Sequence, residues 1–243
     1  MASILITRPQ ATASALAERL QSLGYQAVIE PLLEIVPTGA PKPQIKDIAA
    51  VMITSGNALD ALAADQTALA ALADFPCFCV GPRTGEKARA LGFKHVESAA
   101  SDGAALAILV DASLPKTSGA ILHVAAQDAD SKAQQEVERK SRRVIVWQAY
   151  RAIPAGNFSA GIAGALMQGE FDAILVFSPR TAETLGQLIA RHGLKTCCAR
   201  LTAICLSEAV AEPLKPFGWQ KLVFAAAPTE DAVIARLQEI IFA

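Results

Sequence analysis

Hydrophobic positions along this chain fall into two alternating patterns. Short apolar runs predict buried strands, and longer stretches with apolar residues every three or four positions predict amphipathic helices. The first pair is the run from Ile4 to Thr7 followed by residues 10–23, where one helix face carries Ala13, Leu16, Ala17, Leu20 and Leu23. Repetition of this strand-and-helix pair predicts an α/β fold.

Further strands are predicted at eight places: 27–30, 51–54, 77–80, 121–124, 144–147, 173–177, 201–206 and 221–224. Most of these runs are continuously apolar instead of alternating. Continuous apolar strands are typical of parallel sheets covered by helices on both faces. We therefore expect doubly wound parallel sheets.

The two halves of the chain carry similar segments in the same order. An offset of 117, from 154 − 37, places Ile4 on Ile121 and Pro37 on Pro154. Three later segments also match in order: TSGNALDAL from Thr54 with FSPRTAETL from Phe177, VGPRTGEKA from Val80 with ICLSEAVAE from Ile204, and SDGAALAIL from Ser101 with TEDAVIARL from Thr229. Such repetition indicates an internal duplication into two similar lobes. The alternative is that all parallel α/β units look alike.

Two extended segments suggest how the lobes connect. PLLEIVP at 31–37 and WQAYRAIP at 147–154 each follow a strand and end in proline, which stops helix formation. If they pair as a two-stranded connector, the chain crosses twice between the lobes. The predicted domains are then residues 1–34 with 153–243, and an inserted domain at residues 35–152.

Charge and cysteine content limit the possible partners. The 22 basic and 23 acidic residues give a formal charge of −1, which argues against a nucleic-acid surface. We find neither a signal peptide nor an apolar run of about 18 residues, so no membrane segment is expected. Five cysteines in a large apolar chain favour a reducing compartment, and we expect a cytoplasmic protein.

Candidate chemistry lies at the junctions where strands lead into helices. Helix N-termini expose free backbone amides and bind carboxylates or phosphates. In doubly wound sheets these junctions line the carboxyl edge, and two such edges facing each other would form an anion-binding cleft. Arg8, Arg83 and Arg180 lie at such junctions, where a guanidinium can bind a carboxylate. For each single residue, a helix cap or a solvated arginine is the ordinary alternative.

Several familiar signals are missing. The chain has no G-x-G-x-x-G after a strand, no P-loop, no zinc-binding spacing and no G-x-S-x-G, so we expect no nucleotide cofactor, no metal and no simple hydrolase. Tyr150, one of two tyrosines, lies in the predicted connector. Its hydroxyl could face the cleft, or it could be an ordinary core tyrosine.

The order of these motifs resembles the uroporphyrinogen-III synthase family over essentially the full chain. The segments that carry the resemblance are ILITRP (4–9), PLLEI (31–35), ITSGNAL (53–59), VGPRTGEKARALGF (80–93), QAYRAIP (148–154) and ILVFSPRTAETL (174–185). Family members have two similar α/β lobes joined by a two-stranded ladder. The resemblance implies a cofactor-free cyclising lyase of porphyrin and haem biosynthesis.

The resemblance also implies a substrate and a set of site residues. The substrate is hydroxymethylbilane, a linear tetrapyrrole with an acetate and a propionate on each ring, and the product is uroporphyrinogen III plus water. Tyr150 matches the family tyrosine beside the ladder and is expected to hydrogen-bond the departing hydroxyl. Thr84 matches a family threonine, and Ser55, Asn57 and Ser178 match positions that line the cleft. Together with the residues at the strand-to-helix junctions, the residues expected to bind substrate are Arg8, Thr54, Ser55, Asn57, Gly81, Arg83, Thr84, Ser101, Ser178, Arg180 and Ser207.

Two segments depart from the family pattern. Cys205 to Glu208 replaces a second G-P-T-T turn and keeps only the hydroxyl of Ser207, while Ala125 to Asp128 replaces an arginine and glycine. Both changes weaken the predicted site on one side.

Other functions stay open at this stage. One is a non-catalytic two-lobed protein that binds a small polyanion, and another is a transferase acting on sugars or nucleotides. A monomer is expected, and a transient contact with hydroxymethylbilane synthase is left open.

Overall fold

The structure is a computed structural model that describes residues 1–100, 102–115 and 119–241. By its internal contacts the chain divides into two compact units. Unit 1 comprises Met1–Glu34 and Ile153–Ala243, and unit 2 comprises Ile35–Ala152.

Eleven strands are present among the described residues. They are β1 (Ser3–Ile6), β2 (Gln26–Ile29), β3 (Leu33–Pro37), β4 (Ile48–Ile53), β5 (Pro76–Val80), β6 (His95–Ala99), β7 (Ala120–Ala126), β8 (Val144–Pro154), β9 (Ala173–Val176), β10 (Thr202–Cys205) and β11 (Lys221–Phe224).

Helices connect most of the strands. They are α1 (Gln10–Ser22), α2 (Gly56–Ala64), α3 (Gln66–Leu72), α4 (Pro82–Ala90), α5 (Gly103–Ser113), α6 (Lys132–Arg139), α7 (Ile162–Gln168), α8 (Pro179–Arg191), α9 (Lys195–Cys198), α10 (Glu208–Ala211) and α11 (Glu230–Ile241), with 3₁₀ turns at Ile45–Asp47 and Glu212–Phe217.

Unit 1 contains a parallel sheet in the order β11-β10-β9-β1-β2. Residues 4–6 of its interior strand β1 are all apolar because both faces of the sheet are covered by helices. Leu5 packs in the cluster that contains α8, whereas Ile4 and Ile6 pack in the cluster that contains α1 and α11. The continuous apolar run at residues 4–6 therefore indicates a buried interior strand.

Unit 2 contains the sheet β3-β8-β7-β4-β5-β6, in which β4 to β8 are parallel. Strand β3 lies beside the long strand β8. The amide of Thr38 donates to the carbonyl of Ala149 at 3.1 Å, and the amide of Ala155 donates to that of Leu32 at 3.0 Å. From the first bond to the second, the residue number falls on the β3 side and rises on the β8 side, so this pair is antiparallel. The two extended segments noted in the sequence thus form the predicted two-stranded ladder.

The predicted duplication is confirmed by sheet topology. Apart from β3, the sheets read β2-β1-β9-β10-β11 and β8-β7-β4-β5-β6. Position by position, β2 corresponds to β8, β1 to β7, β9 to β4, β10 to β5 and β11 to β6. The nine predicted strands are all present. Strand β6 was not predicted because it is an edge strand with polar residues at His95 and Glu97.

Close helix packing in unit 2 gives a stability prediction. A Cβ added at Gly103 would lie 2.7 Å from Cα and 2.9 Å from Cβ of Ala133, so α5 and α6 would have to separate. We expect Gly103→Ala to lower the free energy of unfolding by about 1–3 kcal/mol, as overpacking does. Urea unfolding would measure the loss.

Gly164 provides the matched control for this substitution. It lies inside α7, and an added Cβ there meets no described heavy atom within 4 Å. Gly164→Ala should leave stability unchanged or raise it by about 0.5–1 kcal/mol, because alanine loses less backbone entropy in a helix. Equal effects of the two substitutions would contradict the packing argument.

Candidate functional site

The carboxyl edge of the unit 2 sheet carries most of the predicted site residues. Thr54 and Ser55 follow β4, and Ser55 is the N-cap of α2. The Ser55 hydroxyl accepts a hydrogen bond from the amide of Asn57 at 3.2 Å. The cap leaves other amides of the first turn without intrahelical partners, as at every helix start. This turn is therefore suited to an anion.

A bulge in β8 determines where Tyr150 points. Ala125 of β7 lies opposite Gln148, but the next residue, Ala126, lies opposite Tyr150. As a result Ala149 and Tyr150 are both buried, and both pack in the cluster that contains α2 and α4. Bulges often redirect a side chain beside an active site. Here the bulge directs Tyr150 toward the face that carries the Ser55 turn.

The Ser55 side chain is close enough to the Tyr150 hydroxyl to influence its pKa. Burial raises the pKa of Tyr150 above its usual value of 10, and the nearby carboxylates of Asp128 and Asp60 raise it further, while the Ser55 side chain lowers it. The raising effects prevail, so the phenol keeps its proton at neutral pH.

An ion pair beside this turn was missed by the sequence analysis. Lys87 of α4 lies 2.5 Å from Oδ1 of Asp60 and donates to the carbonyl of Gly56 at 3.0 Å. It therefore ties α4 to the first turn of α2. Lys87 was visible within GPRTGEK, but its pairing with Asp60 requires α2 and α4 to be neighbours. These helices follow the paired strands β4 and β5, and that pairing is seen in the structure.

His123 was also missed as a site residue. It lies on β7, is 1% exposed, and its Nε2 is 3.1 Å from the hydroxyl oxygen of Thr54. Burial lowers the pKa of His123 to about 4, so the ring is neutral at physiological pH. A polar residue inside the apolar run ILHV was the available signal.

The β5–α4 junction holds three more predicted residues. Gly81 is the N-cap of α4 with φ of 82°, a conformation that favours glycine, and its amide donates to the carbonyl of Ala99 at 3.1 Å. Arg83 is exposed and Thr84 is half-buried in the first turn of α4. Ser101 lies outside the described residues.

In unit 1, the predicted Arg8 is engaged within the fold. Its Nη1 lies 2.5 Å from Oε2 of Glu230, and its guanidinium carbon lies 4.3 Å from the ring centre of Phe177. Both charged side chains are largely buried, at 12% and 18% exposure. The charge of Arg8 is thus offset at the start of α11.

The other unit 1 residues lie at helix starts. Ser178 is the N-cap of α8, accepts from the amide of Thr181 at 3.1 Å, and has its Oγ 2.7 Å from the Thr181 hydroxyl oxygen. Arg180 is half-buried in the first turn. Ser207 is the N-cap of α10, a helix of only four residues, and makes no side-chain cap bond. The exposed Glu208 follows it, so this turn favours anions less than the others do.

Other site classes were searched in the described part of the chain. No three His, Cys, Asp or Glu side chains there could together hold a metal ion. None of its helices is long and apolar enough to cross a membrane.

Comparisons with known proteins identify related molecules. The family model described as uroporphyrinogen-III synthase HemD matches residues 14–235. A crystal structure of uroporphyrinogen-III synthetase from Helicobacter pylori has 15% identity and a TM-score of 0.69, covering 99% of this chain and 100% of that one. A mutant uroporphyrinogen III synthase from Thermus thermophilus has 18% identity and a TM-score of 0.56, covering 100% and 98%. Comparison with curated proteins gave no match.

Proposed function

The chain belongs to the uroporphyrinogen-III synthase family, and from this premise we propose that Tyr150 is its catalytic residue. The chain is a cyclising hydro-lyase of haem biosynthesis. It closes hydroxymethylbilane to uroporphyrinogen III with inversion of ring D and loss of water. The family match does not favour the alternative of a non-catalytic protein that binds a small polyanion.

The observation that supports Tyr150 is its buried hydroxyl beside the capped side chain of Ser55. The amide of Asn57 donates to the Ser55 oxygen, so the Ser55 proton is available for the Tyr150 oxygen. The Tyr150 proton is then left for a third group. A protonated phenol whose oxygen can accept from Ser55 is well suited to donate to the substrate.

In the proposed step, Tyr150 donates a hydrogen bond to the terminal hydroxyl of hydroxymethylbilane. The carbon–oxygen bond breaks, and the hydroxyl leaves as water with the Tyr150 proton. The pyrrole N–H of that ring gives up its proton, which restores the phenol, and a neutral azafulvene forms. The azafulvene carbon is then attacked by the substituted carbon of ring D, and a spiro intermediate rearranges. Closure without the enzyme gives the uninverted isomer, so the protein must also hold the chain in one conformation.

Substrate carboxylates are proposed to bind at the helix starts of each sheet edge. In unit 2 the proposed residues are Thr54, Ser55, Asn57, Gly81, Arg83, Thr84 and Ser101. In unit 1 they are Arg8, Ser178, Arg180 and Ser207. Free amides and hydroxyls supply most of these donors, which suits a chain with a formal charge of −1. Arg8 is the weakest member because Glu230 already offsets its charge.

The remaining expectations are proposals as well. We propose that residues 1–34 with 153–243 and residues 35–152 are the two domains, that the enzyme is a cytoplasmic monomer, and that it needs no cofactor. A transient contact with hydroxymethylbilane synthase would shorten the life of the unstable substrate in solution. Light scattering with and without that enzyme would test both the monomeric state and the transient contact.

The isomer ratio of the product tests the function directly. Hydroxymethylbilane is generated in place, the products are oxidised to porphyrins, and the III and I isomers are separated by chromatography. We expect the III isomer to dominate with this protein and the I isomer to dominate without it. If folded protein gives only the I isomer, the synthase activity is refuted.

A further inference from the structure

We propose that His123 is a positioning residue that turns the hydroxyl of Thr54 into a hydrogen-bond donor for a substrate carboxylate. The inference rests on the proposed function, because it assigns one of the groups that hold the polyanionic substrate.

The sheet register brings the two residues together. His123 of β7 lies opposite Met52 of β4, and Thr54 follows Met52 by two positions on the same face. The Nε2 atom of His123 is 3.1 Å from Oγ1 of Thr54. His123 is buried in the middle of the sheet, whereas Thr54 is half-buried at its edge. The pair thus extends from the core to the site.

The other ring nitrogen determines the direction of this hydrogen bond. Nδ1 of His123 is buried and has no hydrogen-bond partner within residues 1–100, 102–115 and 119–241. A proton on Nδ1 would be a buried orphan N–H, which is the rarest kind of unpaired group in folded proteins. A proton on Nε2 is satisfied by Thr54. The geometry therefore favours the neutral tautomer in which Nε2–H donates to Thr54.

This direction fixes what Thr54 can do at the sheet edge. Its oxygen accepts from His123, so its own proton is free to be donated elsewhere. The Ser55 proton is already assigned to Tyr150, so Thr54 is the hydroxyl at the start of α2 that is left as a donor. Together with the free amides of the first turn, such a donor fits a carboxylate.

Nuclear magnetic resonance of ¹⁵N-labelled protein tests the tautomer independently of activity. A long-range ¹H–¹⁵N spectrum at neutral pH distinguishes the protonated from the bare nitrogen of His123. We expect Nε2 to carry the proton. A ring protonated on Nδ1 would overturn the inference, whatever the enzyme does in assays.

Steady-state kinetics test the role of the pair. Thr54→Val and His123→Met each remove one partner, and we expect each to raise KM for hydroxymethylbilane by about 10-fold, the effect of losing a hydrogen bond to a charged group. His123→Gln keeps a side-chain N–H near the Nε2 position and should restore most of the affinity. Because the reacting centre is untouched, kcat and the isomer ratio should change less than twofold.

Three outcomes separate the possible failures. If wild-type protein gives no III isomer, the proposed function fails, and the tautomer still reports on His123. If wild-type turnover is normal and Thr54→Val leaves KM unchanged, the donor role of Thr54 is refuted. If His123→Met and His123→Gln raise KM equally while their unfolding curves match, His123 acts through packing and the positioning role is refuted.

Discussion

Replacing Tyr150 with phenylalanine is expected to lower kcat for uroporphyrinogen III formation by about 100-fold, the lower range for loss of an acid–base group. The ring is 4% exposed and packs with α2 and α4, and phenylalanine keeps those contacts. What is lost is the hydroxyl that would donate to the leaving group. KM should change little, because the hydrogen bond is needed chiefly in the transition state.

The chain offers a matched control for this change. Tyr25 is the other of its two tyrosines, is 2% exposed and lies in the unit 1 core. Tyr25→Phe removes the same atom from an equally buried ring and should leave kcat within twofold. The isomer assay and urea unfolding are run on both variants. A full-rate Tyr150→Phe enzyme would rule out the catalytic role.

The environment of Tyr150 also limits the pH dependence of turnover. Burial and the carboxylates of Asp128 and Asp60 raise the pKa of this phenol above 10. A raised pKa means that the donor form persists as pH rises through the neutral and mildly alkaline range. Any alkaline fall in activity below about pH 10 must therefore come from a group other than Tyr150.

The sequence predicted the strand positions well because local patterns report burial directly. Residues 4–6 and 173–176 are apolar without interruption, and both form interior strands of a doubly covered sheet. The edge strand β6 was missed because its side chains before Ala99 are exposed or only partly buried, and His95, Glu97 and Ser98 are polar. The bulge at Ala125 and Ala126 left no local signal, because it depends on how β7 pairs with β8.

The site divides in the same way between local and distant contacts. Ser55 and Ser178 were recognised because a capping hydroxyl bonds to an amide two or three residues away. Arg8 was predicted to be available for substrate, yet it pairs with Glu230 far along the chain. His123 and Thr54 are 69 residues apart. Contacts of this kind follow from the fold as a whole, so residue type and spacing could not reveal them.

Acid should destabilise this protein partly through His123. Burial lowers the pKa of the folded-state ring to about 4 from its ordinary value of 6.5, and burial is the sole cause of the shift. Between these values the unfolded chain binds a proton that the folded chain does not, so stability falls as pH decreases from about 6.5 toward 4. From pH 7 to pH 4.5 the loss from this one ring is about 2 kcal/mol.

His123→Met removes the titrating group and should reduce the loss of unfolding free energy between pH 7 and pH 4.5 by the amount that this ring contributes. Urea unfolding at pH 7 and pH 4.5 gives the difference for each protein, so any constant cost of the substitution cancels. His95→Gln, which replaces an exposed histidine, is the control. If His123→Met loses as much stability in acid as the wild type does, His123 gains its proton at the same pH in the folded and the unfolded chain. A charged ring would donate from both nitrogens, so the neutral Nε2–H tautomer that orients Thr54 would be lost in mild acid.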